Sequence, residues 1–145
     1  MTADYPTAIQ RYQPLLREEP ERVLALNNLT LALAEQTNQS QQAEATLDRA
    51  LELKPNVPGL LDSWAMLALY RSEPDRALEV LKQLVLEEPA DSVVRLHLAV
   101  AYRDMEDGTA AKESFLDALG HGLGNQLLSP ADRQVVREMR GTWSL

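Results

Sequence analysis

The sequence predicts an all-α protein: a right-handed solenoid of helical hairpins, closed by a C-terminal capping helix. Three observations predict it. Ala43, Ala77 and Ala111 recur every 34 residues at the head of similar segments, and a fixed period in that range marks stacked helical units. Each segment is amphipathic. In DRALEVLKQLVLEEP, Asp75 to Pro89, the residues Ala77, Leu78, Leu81, Leu84 and Val85 share one face. Arg76, Glu79, Lys82 and Gln83 lie mostly on the other. Thirdly, the stretches between these segments are apolar nearly all round, as a helix buried on more than one side must be.

Asp4-Tyr5-Pro6-Thr7 opens the first helix, which runs to about Glu18 with Ala8, Ile9, Tyr12, Leu15 and Leu16 on its apolar face. Pro14 lies inside it as a local kink, and Pro20 ends the segment, because a residue before proline is pushed out of the helical region. A longer helix then runs through about Glu35, carrying Val23, Leu24, Leu26, Leu29, Leu31 and Leu33. The polar run from Gln36 to Gln41 is a turn, with Ser40 as the expected cap of the next helix, to Leu53. Pro58 suits the first turn of the following helix, which carries Leu60, Leu61, Trp64, Leu67, Ala68 and Leu69 to Tyr70. Ser72-Glu73-Pro74 turns the chain into the helix ending before Pro89. Asp91 or Ser92 caps a helix from about Val93 to Met105, Asp107-Gly108 turns, and the last repeat helix runs from Thr109 to Leu119. Residues 120–128, rich in glycine, break the period. Ser129-Pro130-Ala131-Asp132 is a helix start of cap, proline and acid. The helix it opens, to about Arg140, has Val135, Val136 and Met139 inward and Asp132, Arg133, Arg137 and Glu138 outward. It reads as a cap for the array.

A chain of 145 residues with 45% apolar content can bury a normal core. No apolar run approaches the roughly 18 residues that a membrane span needs. Aromatics are only 5%, so Leu, Ala and Val carry the packing. The net charge of −8 argues against nucleic acid, whose phosphates demand clustered Lys and Arg, and against an anionic membrane surface. Cysteine is absent, which removes disulfides, thiol catalysis and cysteine-based zinc sites together. The N-terminus lacks the basic-then-apolar order of a signal peptide. Composition assigns no compartment: the cytoplasm is the default, the periplasm the alternative if the chain is a fragment of an exported protein.

The pattern resembles the tetratricopeptide repeat, whose unit has small and large residues in its first helix and an Ala, a large residue, another Ala and a final Pro in its second. The second-helix sets here are Ala43, Leu47, Ala50, Pro55; Ala77, Leu81, Leu84, Pro89; and Ala111, Phe115, Ala118. The first-helix sets are Leu29, Thr30, Leu33; Trp64, Ala65, Ala68; and Leu98, Ala99, Tyr102. The resemblance implies a half repeat at 4–20 and full repeats at 21–55, 56–89 and 90–119, within an array spanning 4–119. Residues 1–3 then form a leader, 120–128 a linker, and 129–145 the capping helix and tail. Two departures stand out. Ala8 to Ala43 is one residue longer than the period, which places an extra residue in the turn after Gln36. The chain also opens at the turn before a second helix, which predicts a piece of a longer array, with any signal peptide lost and with self-association through residues 8–16. A narrower resemblance, through LDSWAMLALYRSEPDRALEVL and RLHLAVAY, is to the C-terminal repeats of bacterial multi-repeat proteins of export and exopolysaccharide systems.

Catalytic chemistry finds little support. His97 and His121 are the available neutral-pH acid–base groups. His97 reads as a half-exposed helix residue rather than a groove-facing ligand contact. His121 has no second ligand near it in sequence for a metal. GHGLGN follows a helix instead of a strand and lacks the lysine of a phosphate loop. Glu18-Glu19 and Glu87-Glu88 are solvated helix ends rather than paired catalytic acids. No nucleophile–base pair and no cofactor motif is present, so the expectation is a non-enzymatic protein with no cofactor.

In tetratricopeptide-like arrays the first helices line a concave groove. That resemblance places Leu24, Asn27, Asn28, Leu31 and Glu35, then Asp62, Met66 and Leu69, then Val93, Leu96, Val100 and Arg103 on it. The family's clamp for a C-terminal carboxylate uses Lys, Asn and Arg; Asn27 stands where the Lys would be and Arg103 alone is near the rim, so the clamp is not expected. What stands there is an apolar strip edged by Asn and Asp, suited to an apolar or amphipathic peptide or helix. Leu31, Met66 and Val100 would form its ladder. The alternative is that the strip packs within the array, as spacer repeats of a longer scaffold with no ligand of their own.

Overall fold

A computed structural model describes residues 4–36 and 39–145. Eight α-helices account for most of the described chain: α1 Tyr5–Glu18, α2 Val23–Ala34, α3 Ser40–Leu53, α4 Pro58–Tyr70, α5 Pro74–Glu87, α6 Ser92–Asp104, α7 Gly108–Gly120 and α8 Pro130–Trp143. A short 3-10 turn, Leu123–Asn125, precedes α8, and no strand occurs among the described residues. The leader expected at residues 1–3 and the centre of the turn after Gln36 lie outside the described residues.

Local chemistry sets the helix ends. Asp4 caps α1 by accepting from the Thr7 N–H at 3.0 Å. Asp91 accepts from the N–H groups of Val93 and Val94 at α6, Asp107 from Ala110 at α7, and Ser129 from Asp132 at α8. Each satisfies amide donors that the first helical turn cannot pair internally. Ser40 differs from its expected role. It is the first residue of α3, and Gln39 holds the cap position without a side-chain bond. Ser72 and Glu106 adopt positive φ, 60° and 63°, just after α4 and α6. They lie one 34-residue period apart, so the chain makes the same left-handed exit from both first helices.

The described chain divides into two compact units, residues 4–71 and 72–145. In the first, α2 packs between α1 and α3, and α4 packs on both α2 and α3. Its core is Leu16, Leu26, Leu29, Leu33, Leu47, Leu60 and Leu67 with Ala25, Ala43 and Ala50. Trp64 is half-buried at the edge of this cluster, beside the alanines that let the helices approach.

In the second unit α6 is sandwiched between α5 and α7, and α8 closes against α7. Ala77, Leu81, Leu84, Leu96, Ala99, Ala111, Phe115, Ala118 and Met139 are all but inaccessible. The Phe115 ring meets Trp143 of α8 with centroids 5.8 Å apart, a tilted pairing favoured by the ring quadrupoles. Arg95, buried in α6, donates through Nε to Asp117 of α7 at 2.6 Å and through Nη1 to the Asp91 carbonyl at 3.2 Å. That guanidinium ties the start of α6 to the last turns of α7.

Two expectations about α8 are corrected. The helix continues to Trp143, past Arg140, and Asp132 is buried rather than outward. The reason is His97, which is also buried instead of half-exposed and donates through Nε2 to Asp132 Oδ1 at 3.1 Å.

Candidate partner-binding surface

The first helices α2, α4 and α6 carry every residue expected to line a groove, and each compact unit shows its own part of that surface. In residues 4–71, α2 presents a stripe of Leu24, Asn27, Asn28 and Leu31, continued by Glu35 at its C-cap, spaced three and four apart so that they share a face. Leu24 is 71% exposed and Leu31 36%, although Ala25, Leu26, Leu29, Thr30, Ala32 and Leu33 of the same helix are buried. From α4, Asp62 and Met66 are half-buried, whereas Leu69 is buried and packs from beneath.

Polar groups on this stripe link helices to one another. Ser63 of α4 donates to Asn27 Oδ1 at 2.7 Å, and Asn28 donates through Nδ2 to the Tyr12 hydroxyl of α1 at 3.1 Å. The Tyr70 hydroxyl at the end of α4 donates to the Glu35 carboxylate. Asn27, Asn28 and Glu35 therefore help to set the spacing of α1, α2 and α4. Ile9, Tyr12 and Leu15 of α1 are half-buried against the core of this unit.

In residues 72–145 the corresponding stretch of α6 is closed. Leu96 and Val100, expected on an open groove, are 0% and 5% exposed, and only Arg103 is well exposed, with Val93 half-buried. Val100 lies on one helical face between His97 and Arg103, and both of these reach α8. His97 bonds Asp132, and Arg103 Nη1 lies 3.6 Å from Glu138 Oε2. The sequence separation is 35 in each pair, the same as for Glu35 and Tyr70 between α2 and α4. The capping helix thus docks on α6 at the interval by which one first helix follows another. The Asp132 carboxyl is pulled in two directions. Burial raises its pKa, but the hydrogen bond and charge of His97, with the bonds from Ser129, outweigh it and leave the group below the usual value of 3.8.

The sequence reading missed this buried pair because it depends on how far α8 travels after the irregular residues 120–128. The one available signal was the 35-residue spacing of an acid and a histidine on two amphipathic helices. His121 bonds its own helix, through Nδ1 to the Asp117 carbonyl at 2.8 Å. Among the described residues no cluster of three or more His, Asp or Glu has the spacing of a metal site, and no helix is long and apolar enough to cross a membrane.

Helical hairpins with small residues at their crossings, repeated at this period, define a protein-interaction fold. The sequence profile of the tetratricopeptide repeat family matches residues 2–58 and 63–126, and the chain belongs to that family. It is 26% identical to the human interferon-induced protein with tetratricopeptide repeats 2, over 81% of this chain and 27% of that protein, so it spans about a quarter of that relative's length. Two solved structures share the fold. MamA 41-end from Desulfovibrio magneticus RS-1 superposes with a TM-score of 0.66 at 22% identity, over 98% of this chain and 77% of the other. A second MamA crystal structure gives 0.64 at 16% identity, over 98% and 80%.

Proposed function

We propose that this chain is a non-enzymatic peptide-binding module and that its recognition face is the first-helix surface of α2 and α4. Leu24, Leu31 and Met66 would supply apolar contact, with Asn27, Asn28 and Asp62 at the edges and Leu69 beneath. The observation that carries the reading is the pair Leu24 and Leu31, held two turns apart in water on a helix whose other leucines, Leu26, Leu29 and Leu33, are buried. A single exposed leucine needs no explanation. Two on one stripe, framed by fixed amides, form the kind of surface that an apolar or amphipathic segment covers.

The rival reading is a spacer: repeats that position other parts of a longer protein and bind nothing. It draws on Asn27, Asn28 and Glu35, whose hydrogen bonds already serve the packing of the helices. Leu24→Glu with Leu31→Glu separates the two, because both side chains are exposed and the fold should survive. Partners captured by the parent should be lost by the double variant, at unchanged helicity and melting temperature. If every partner is still captured, the spacer reading replaces this one.

A further inference from the structure

The second unit holds a cleft of about 350 Å³ beside α8, separate from the first-helix surface. Its wall includes Leu119 at the end of α7, Leu123, Leu127 and Leu128 from the connecting segment, and Val136 of α8, with Arg133 and Arg140 completing it. Leu123 is fully buried and forms a floor, whereas Leu127 stands 99% exposed at the edge. The size is at the lower end of the range for clefts that hold a small ligand or a few side chains.

The charges of α8 are sorted by face. Its two carboxylates turn toward α6, Asp132 to His97 and Glu138 to Arg103. Arg133, Arg137 and Arg140 lie four and three residues apart, on one face. Arg133 spends one N–H on the Leu128 carbonyl, at 2.7 Å, which braces the connecting segment and leaves the rest of its fork for a ligand. No ion pair holds the Arg140 guanidinium among the described residues. A chain of net charge −8 thus carries a local cationic edge around an apolar cleft.

We propose that this cleft binds an acidic peptide segment: one leucine-sized side chain enters between Leu123, Leu127 and Val136, and carboxylates on either side pair with Arg133 and Arg140. The two arginines are about 10 Å apart along the helix, at 1.5 Å per residue, close to the span of three extended residues. Charge decides against an anionic bilayer as the occupant. A short peptide senses only the charges within a Debye length of about 8–10 Å, where the arginines dominate. An extended anionic surface would meet the acidic remainder of the chain as well.

The probe is a fluorescein-labelled peptide, Asp-Glu-Leu-Glu-Asp, titrated with the full chain and followed by anisotropy. Two companions replace its acids with lysine or its leucine with serine. Binding should weaken at least tenfold for each companion, and tenfold or more in Arg140→Glu. It should also weaken in Leu127→Ser, whose exposed side chain can be removed without disturbing the core, and should fall steadily between 50 and 300 mM salt. Leu24→Glu with Leu31→Glu should leave it unchanged, which keeps this site distinct from the first-helix surface. The proposal is overturned if the peptide does not bind, if Arg140→Glu binds it as well as the parent does, or if the chain instead sediments with phosphatidylserine vesicles in an Arg140-dependent way.

Discussion

At the scale of single residues, the pairing of His97 with Asp132 is the feature with the clearest solution consequence. A carboxyl held below its ordinary value favours the folded state wherever it is ionised. The unfolded chain binds the proton first as pH falls, so this contribution is complete above the usual 3.8 and is lost on descending through the lower folded value. Melting temperatures measured from pH 6 down to pH 2.5 should show a steep acid limb that Asp132→Asn flattens, with the variant already less stable at pH 6. Parallel curves for parent and variant would remove Asp132 from the acid response. The caps at Asp4, Asp91, Asp107 and Ser129 involve partners two or three residues away, so their sequence neighbours announce them. The pair at 97 and 132 has no such local sign. A lone histidine between leucines reads as an edge residue until its partner helix is placed.

Among the elements, α8 departs furthest from the repeat pattern and most affects its neighbours. Its start was legible from Ser129-Pro130-Ala131-Asp132, and its apolar side from Val135, Val136 and Met139. Its far end was not, because Gly141 and Thr142 are poor helix formers and the last turn is held in part by the contact of Trp143 with Phe115, which is distant in sequence. Val100, expected on a ladder with Leu31 and Met66, is buried and lies on α6 between the two side chains that reach α8. Deleting residues 129–145 should therefore do more than remove a tail. It strips the contacts of α8 from His97 and Phe115, and the shortened chain should melt several degrees lower and aggregate on concentration. A truncated chain with the parent's melting curve and solubility would show that α8 stabilises nothing.

For the whole molecule, the period of 34 was enough to read an all-α repeat architecture, because most helix starts are marked by proline, aspartate or serine. The grouping into residues 4–71 and 72–145 was not readable. It cuts the chain at the turn between α4 and α5, whereas the repeat pattern makes those two helices a single hairpin. Repeats stabilise themselves chiefly through nearest neighbours, and local opening follows such groupings. Leu33→Ala, in the core of the first unit, should cost about 2–5 kcal/mol and speed amide exchange most in α1 to α4, with α6 and α7 changed least. Uniform acceleration along the chain would mean a single cooperative block. The docking of α8 also has a practical reading for protein engineering. Because it sits one repeat interval beyond α6, it works as a ready-made splice point. A designed hairpin joined after Leu119, carrying an acid where Asp132 stands and a glutamate where Glu138 stands, would inherit a seat already shaped by His97 and Arg103, and could be added without redesigning α6 and α7.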